Sequence, residues 1–433
     1  MKMDIRETVK RKRTLPGSYS KTILAGLVMG LFFSCNSESI EEKQGLYVEN
    51  GTLMKDAEAY YGIGANYFNL FYRTIKDVSD TSYIQGLTRL AEAGIPFVRF
   101  SAGGFWPVDW KLYMEEREKY FELFDNIVEL AEELEIGLIP SLFWHFQAIA
   151  DLNEEPMDQF MNDKSKTIGF INQYTSEVVE RYKNSPAIWG WEFGNEFSLF
   201  IDIPPHGGSI PGIHTSLGTA AVRDSVRDVL VSGCMYNAYD EFARTVREFD
   251  KSRAIFSGGD VPRAWAFNNT AGNPWVKDSP DQTRAMLFRY NPDPINTLSI
   301  RGYWNVKNSF DNIARDEYTP ENIHANEVMG VSFAEYLPYA MKWSEEIGKP
   351  LFIGEWGASE SWLEEGQTWN TVDVEEAFTE RLNAIVENRV PLSAFWVYDL
   401  QGQTNSWNIT FDNERAYMID MVLEANETLK ENK

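Results

Sequence analysis

The chain has 433 residues, 43% hydrophobic and 14% aromatic, so it can bury a large core and is not disordered overall. Asp and Glu outnumber Lys and Arg by 65 to 40, a net charge of −25 that repels phosphate backbones and excludes nucleic acid as an expected partner. Two cysteines, Cys35 and Cys234, build no disulfide framework, and four histidines without a His-Glu-x-x-His pattern point to no metal site; no cofactor is expected.

Residues 1–34 read as an export signal, not as fold. Lys2, Arg6, Lys10, Arg11, Lys12, Arg13 and Lys21 form a basic leader, and Thr22 to Phe33 is an apolar run too short to span a bilayer. Phe32-Phe33-Ser34-Cys35 follows. This outline resembles a bacterial lipoprotein signal, which implies that Cys35 becomes the lipidated first residue of an envelope-anchored protein. A plain secretory signal with Cys35 incidental is the alternative. Residues 35–45 are polar and read as a tether.

From Leu46 the sequence alternates strand-like and helix-like segments. Tyr60 to Phe68 is the first expected strand, followed by an amphipathic helix over Thr81 to Ala93 that Gly94 stops. Pro96 to Phe100, Ile136 to His145 and Ala187 to Glu196 are the next three strands, separated by helices over Glu115 to Glu135 and Thr167 to Lys183. The second half repeats the unit. Helices are expected over Tyr236 to Phe249, Asp281 to Phe288, Phe333 to Ile347 (interrupted by Pro338), Asp373 to Asn388 and Ala416 to Glu431. Strands are expected over Arg253 to Gly258, Ile295 to Tyr303, Leu351 to Glu355 and Leu392 to Tyr398. Eight strand–helix units predict an α/β fold of the (β/α)8 TIM-barrel type over residues 46–433. An open doubly wound sheet would want a Gly-rich phosphate loop after an early strand, and none is present. Loops 197–234, 257–280 and 304–332 all follow strands, so they are expected on the active face as walls or lids.

The chemistry is concentrated in two strand ends. Ala187 to Glu196 reads Ala-Ile-Trp-Gly-Trp-Glu-Phe-Gly-Asn-Glu, an apolar run closed by a polar pair; Lys349 to Gly357 ends in Glu355. Two carboxylates at the carboxyl ends of barrel strands are what a retaining glycosidase needs: one protonates the leaving oxygen and the other attacks the anomeric carbon, about 5–5.5 Å away. The bland alternative is a salt bridge at each strand end. Glu192, four residues before Glu196, shares its parity and is expected as an inward, hydrogen-bonded barrel residue. Asp260 and Asp399 are weaker candidates as sugar-hydroxyl acceptors. Trp106, Trp110, Trp144, Trp265, Trp275, Trp304, Trp356, Trp362, Trp369 and Trp407 fall at or after strand ends, as platforms for pyranose faces would, although some of them must only pack loops.

Trp-Glu-x-x-Asn-Glu on the fourth strand, Gly-Glu-Trp-Gly on the seventh and Val-Arg-Phe on the second resemble glycoside hydrolase family 5 and its clan. The resemblance covers essentially the whole domain. It implies Glu196 as acid/base, Glu355 as nucleophile, Asn195 as the group bonding the sugar 2-hydroxyl, and Arg99 and Tyr303 beside the nucleophile. It further implies Trp396 as a sugar platform and His145 as a substrate contact, a satisfied core histidine being nearly as well supported there. Two positions depart from the family pattern. Arg301 stands where His is usual, two residues before Tyr303, and suggests a different subsite or an acidic sugar. Phe197 stands where Pro commonly follows the fourth-strand Glu.

The expected function is therefore retaining hydrolysis of a β-linked polysaccharide or oligosaccharide, of β-mannan or β-glucan type, by a monomer that meets the membrane only through its lipid. A lipid-anchored glycan-binding protein on a non-catalytic barrel is the rival from another class. An exo-glycosidase or transglycosylase would use the same residues.

Overall fold

The computed structural model describes residues 43–204, 206–303, 331–359 and 374–431. The leader, Cys35, most of loop 304–332, Trp304, Trp362 and Trp369 lie outside the described residues.

Eight parallel strands form one sheet, and we label them β1 (Gly62–Asn66), β2 (Phe97–Ser101), β3 (Gly137–Phe143), β4 (Gly190–Gly194), β5 (Ala254–Phe256), β6 (Leu298–Gly302), β7 (Leu351–Trp356) and β8 (Leu392–Phe395). The order around the sheet is β5-β4-β3-β2-β1-β8-β7-β6. Adjacent strands pair in parallel, which requires a crossover between each, and helices supply the crossovers. Between β5 and β6 side chains complete the ring: Asn296 Oδ1 accepts from Ile255 N at 2.8 Å and Thr297 Oγ1 donates to Ile255 O at 2.9 Å. The fold is the expected TIM barrel.

Alternation along each strand builds two cores. Outward residues such as Ile63, Val98, Trp191, Ile255, Ile300 and Ile353 pack against the helices in the main apolar shell. Inward residues Phe97, Ile139, Ala254, Phe256, Phe352, Leu392 and Ala394 fill the barrel together with Trp189. Phe97 and Trp189 fit because Gly64 and Gly137 lack side chains; a Cβ at either would fall on those rings. One layer higher the interior turns polar, with Asn66, Arg99, Glu192, Arg301 and Glu355 all buried.

Three short antiparallel strands, Tyr47–Glu49, Thr52–Lys55 and Glu58–Ala59, precede the barrel. They were not anticipated, because the run is short and its residues alternate weakly. Leu46 and Leu53 close the amino end of the barrel: Leu46 N donates to Trp189 O and Leu46 O accepts from Ala254 N, both at 2.7 Å. Gln44 Oε1 already accepts from Arg253 Nη2 at 3.1 Å.

The expected helices form with shifted ends. Ser165, Ser279 and Ser332 each accept a first-turn amide, which fixes where their helices begin. The long helix expected over Glu115 to Glu135 forms over Arg117–Glu133, and a short helix, Lys111–Glu115, precedes it across the non-helical backbone of Glu116. Pro338 does not interrupt Phe333–Ile347; it lies on the exposed face of the helix. Loop 257–280 contains a short helix, Ala266–Thr270, whose first amides donate to the Asp278 carboxylate.

Candidate active site

Glu196 and Glu355 reach the same space by different local devices, and neither follows simple strand parity. β4 ends at Gly194, and Glu196 sits beyond it in the left-handed region (φ 55°, ψ 34°). Its amide donates to Gly258 O at 2.8 Å, which ties the turn to the end of β5. The conformation is costly for a residue with a Cβ and persists only where surrounding contacts impose it. On β7, Phe352 faces in and Ile353 faces out, so strict alternation would turn Glu355 outward. The register against β6 shifts between Ile353 and Glu355, so Ile353 pairs with Ile300 and Glu355 with Arg301. This bulge at Gly354 restores Glu355 to the interior.

Arg99 is the centre of the polar layer. It is fully buried, and its Nε donates to both Glu192 oxygens at 2.8 and 3.0 Å. Nη1 donates to Glu355 Oε1 at 2.7 Å and to Asn66 Oδ1 at 2.9 Å, and Nη2 donates to Asn195 Oδ1 at 2.9 Å. The Trp144 ring lies over the guanidinium, 4.2 Å from Cζ. The expected pairing with Glu355 is thus shared with Glu192, so Arg99 bonds both carboxylates, inward on β4 and β7. Asn66 had no expected role. Its Nδ2 donates to the carbonyls of Gly354, Ala394 and Phe395, so it fastens β1 to β7 and β8 directly beneath Glu355. Inward parity from Gly62 and Gly64 would have singled it out.

Tyr303 OH donates to the other Glu355 oxygen, Oε2, at 2.7 Å. Burial first, and then the Glu355 charge, push the Tyr303 hydroxyl far above its ordinary value, so it remains a donor. Arg381 holds this strand end by donating to the carbonyls of Gly302 (3.1 Å) and Tyr303 (2.9 Å).

Arg301 is 1% exposed. Nη2 donates to Asn195 Oδ1 at 2.8 Å and to Gly258 O at 2.7 Å, while Nε lies 3.7 Å from Glu196 Oε1 and 3.6 Å from Glu355 Oε1. Its side chain is thus engaged with Asn195, Gly258 and the two carboxylates at the base of the site.

The Glu196 side chain keeps 24% exposure at the carboxyl end of the barrel and is otherwise enclosed. Burial pushes its carboxyl up to about 8, with the charges of Glu355 and Asp260 adding; Arg301 and Arg99 act in the opposite sense. Asp260, buried after β5, is pushed up to about 6, first by burial. Asp399 is engaged by Tyr67 at 3.0 Å and Arg73 at 2.8 Å, which favours loop structure over sugar binding.

Aromatic groups ring this layer. Trp396 is partly exposed, its Nε1 donating to Gln403 Oε1 at 2.9 Å, and its ring lies 6.0 Å from Trp144 and 6.2 Å from Phe68. His145 stands apart from the two glutamates. Its Nδ1 meets Phe105 O at 2.5 Å, its ring stacks on Phe105 and it touches Trp106, which also meets His214. Burial lowers the His145 pKa and favours a neutral ring that donates from Nδ1. Among the described candidate platforms, Trp110 and Trp356 are fully buried and Trp144, Trp265 and Trp407 nearly so, whereas Trp106 and Trp275, like Trp396, are half-buried.

The family model described as cellulase (glycosyl hydrolase family 5) matches residues 62–399. No curated protein matches the chain by sequence. Among solved structures, a family 5 mannosidase from Rhizomucor miehei is similar at 14% identity and TM-score 0.58, covering 90% of this chain and 98% of its own. An endo-beta-1,4-mannanase from Thermotoga petrophila is similar at 14% identity and TM-score 0.55, covering 87% and 78%. A beta-glucanase from Saccharophagus degradans is similar at 15% identity and TM-score 0.50, covering 89% and 95%. At these identities the likeness concerns the fold.

Proposed function

The chain belongs to glycoside hydrolase family 5, and we propose that it hydrolyses a β-linked polysaccharide or oligosaccharide with retention, using Glu196 and Glu355. One observation carries the reading. A carboxyl pushed up to about 8 and a carboxylate held by Arg99 and Tyr303 lie within 3.7 Å of the same Arg301 nitrogen. Two carboxyl groups of unequal character bordering one cation suit the acid and the nucleophile of double displacement.

Glu355, with both oxygens oriented by donors, attacks C1 as the bond from C1 to the leaving oxygen breaks. Glu196, still protonated at neutral pH, gives its proton to that oxygen. The deprotonated Glu196 then takes a proton from water, whose oxygen attacks C1 and releases Glu355. Asn195, its amide oxygen held by two arginines, turns Nδ2 towards the sugar 2-hydroxyl. Trp396 offers its face to the ring bound ahead of the cleavage point. A β-mannan or β-glucan substrate is supported by the mannanase and glucanase names of the similar structures. The leader supports export, lipidation at Cys35 and envelope attachment.

The test is cleavage of a panel of β-mannans, β-glucans, xylans and aryl glycosides by the domain from Asn36. Glu196→Gln should slow cleavage of unactivated glycans by about 10²–10⁴-fold. Glu355→Ala should be inactive on an aryl β-glycoside until azide is added, which should yield the α-glycosyl azide. Unchanged turnover by Glu355→Ala would remove it as nucleophile.

A further inference from the structure

The double-displacement scheme above uses Arg301 only to hold Asn195, yet this cation also lies beside both carboxylates. It faces inward on β6 opposite Glu355 in register, and it is as buried as the apolar core. The fold makes room for it deliberately: a Cβ on Gly354 would fall on Arg301 Nη1. Its Nη1 donates weakly to Ile300 O at 3.3 Å, and its Nη2 bonds join Asn195 to the Gly258 carbonyl that also receives the Glu196 amide. Nε makes no hydrogen bond and points between the two carboxylates at 3.6 and 3.7 Å.

Two consequences follow from this placement. Asn195 Oδ1 accepts from two guanidinium groups, Arg99 and Arg301. A flipped amide would set its NH2 against both, donor against donor, so its orientation is imposed. The second consequence is electrostatic. Glu196 faces Glu355 from β7 and Asp260 from the β5 loop, which both oppose its ionisation, and Arg301, Arg99 and Arg263, which favour it; Tyr303 stands neutral beside them. Arg301 lies within 4 Å of the Glu196 carboxylate.

We propose that Arg301 is a positioning residue for glycoside cleavage: it fixes the Asn195 amide and holds a buried cation between the two carboxylates, so that the enzyme's alkaline limit depends on its charge. The proposal rests on the hydrolytic reading above. It assigns the departure from the family's histidine at this position to proton control, not to substrate choice.

The experiment is the pH profile of kcat/KM for wild type, Arg301→Met, Arg301→His and Arg301→Lys. Loss of a cation at this distance should raise the alkaline limb by about 1 pH unit or more in Arg301→Met and Arg301→His, whose imidazole is neutral there. Arg301→Lys should keep the limb near the wild-type position but lower kcat, because an ammonium lacks the fork that binds Asn195 and Gly258 together. If Arg301→Met fails to fold, Arg301→His gives the same comparison. A lowered kcat with the limb unmoved in the neutral variants would make Arg301 merely structural and overturn the proposal. The Glu196 carboxyl is titrated in parallel by carbon-13 NMR of glutamate-labelled wild type and Arg301→His, assigned by its loss in Glu196→Gln. This readout needs no substrate. If no glycan is cleaved by wild type, the hydrolytic reading falls, while the NMR midpoint still decides whether the Arg301 charge governs Glu196: an upward move supports that coupling, and an unmoved midpoint overturns it.

Discussion

Arg99→Met tests the polar layer most directly. The side chain it removes is fully buried and serves Glu192, Glu355, Asn66 and Asn195. Glu192 is itself 0% exposed, so it would be left as an uncompensated charge inside the barrel. Breaking a buried pair in this way costs about 3–5 kcal/mol, a large part of the roughly 5–15 kcal/mol that holds a typical domain folded. Arg99→Met/Glu192→Leu removes both charges and should recover most of that loss, since apolar replacement of a whole buried pair is close to neutral. About 1–3 kcal/mol should remain missing, because Asn66 Oδ1 keeps no donor. Activity should not return with stability. Glu355 still lacks its hydrogen-bonded cation, Arg301 lying 3.6 Å away, and Asn195 one of its two donors; a charged hydrogen bond of about 1.5–3 kcal/mol corresponds to roughly 10–150-fold in rate. Urea denaturation followed by tryptophan fluorescence measures the first effect, and hydrolysis of the best panel substrate measures the second. A single variant within about 1 kcal/mol of wild type would show that the charges are not paired as described. A double variant with wild-type turnover would show that Arg99 serves folding alone.

Tyr303→Phe deletes the hydroxyl that donates to Glu355 Oε2 and keeps the ring, so kcat should fall about 10–100-fold with the denaturation midpoint nearly unchanged; equal kcat would place the hydroxyl outside the reaction. Glu196→Gln should stabilise the protein increasingly as pH rises. The folded carboxyl, pushed up to about 8 from an ordinary 4.5, holds a proton that the unfolded chain has already lost, so wild-type stability declines across that window while glutamine has nothing to lose. The Tm difference between variant and wild type should therefore be small at pH 5 and largest near pH 8; a difference that does not change with pH would mean that burial does not hold the proton on Glu196.

Much of this protein is legible in one dimension. Apolar runs separated by helical periodicity specify eight strand–helix units, because a strand buried on both faces and a helix buried on one leave different residue patterns. The motif carboxylates Glu196 and Glu355 could be named because barrel chemistry places such groups at the carboxyl ends of strands, whereas Arg99, Asn195 and Tyr303 were named through the resemblance to family 5. What the tertiary structure alone decided is where the side chains point and what they share. Period-two counting turns Glu355 outward; only the Gly354 bulge, a property of the register between β6 and β7, brings it in. Parity placed Glu196 correctly for the wrong reason, since its direction comes from a left-handed turn bonded to Gly258. Trp110 and Trp356 follow strands as Trp106 and Trp396 do, yet burial divides them into packing groups and open ones. Arg301 looked like a substrate contact and lies 1% exposed between two carboxylates. Sequence carries periodicity and residue chemistry because both are local. Register, burial and the sharing of one cation by several carboxylates are relations between segments that only the closed barrel brings together.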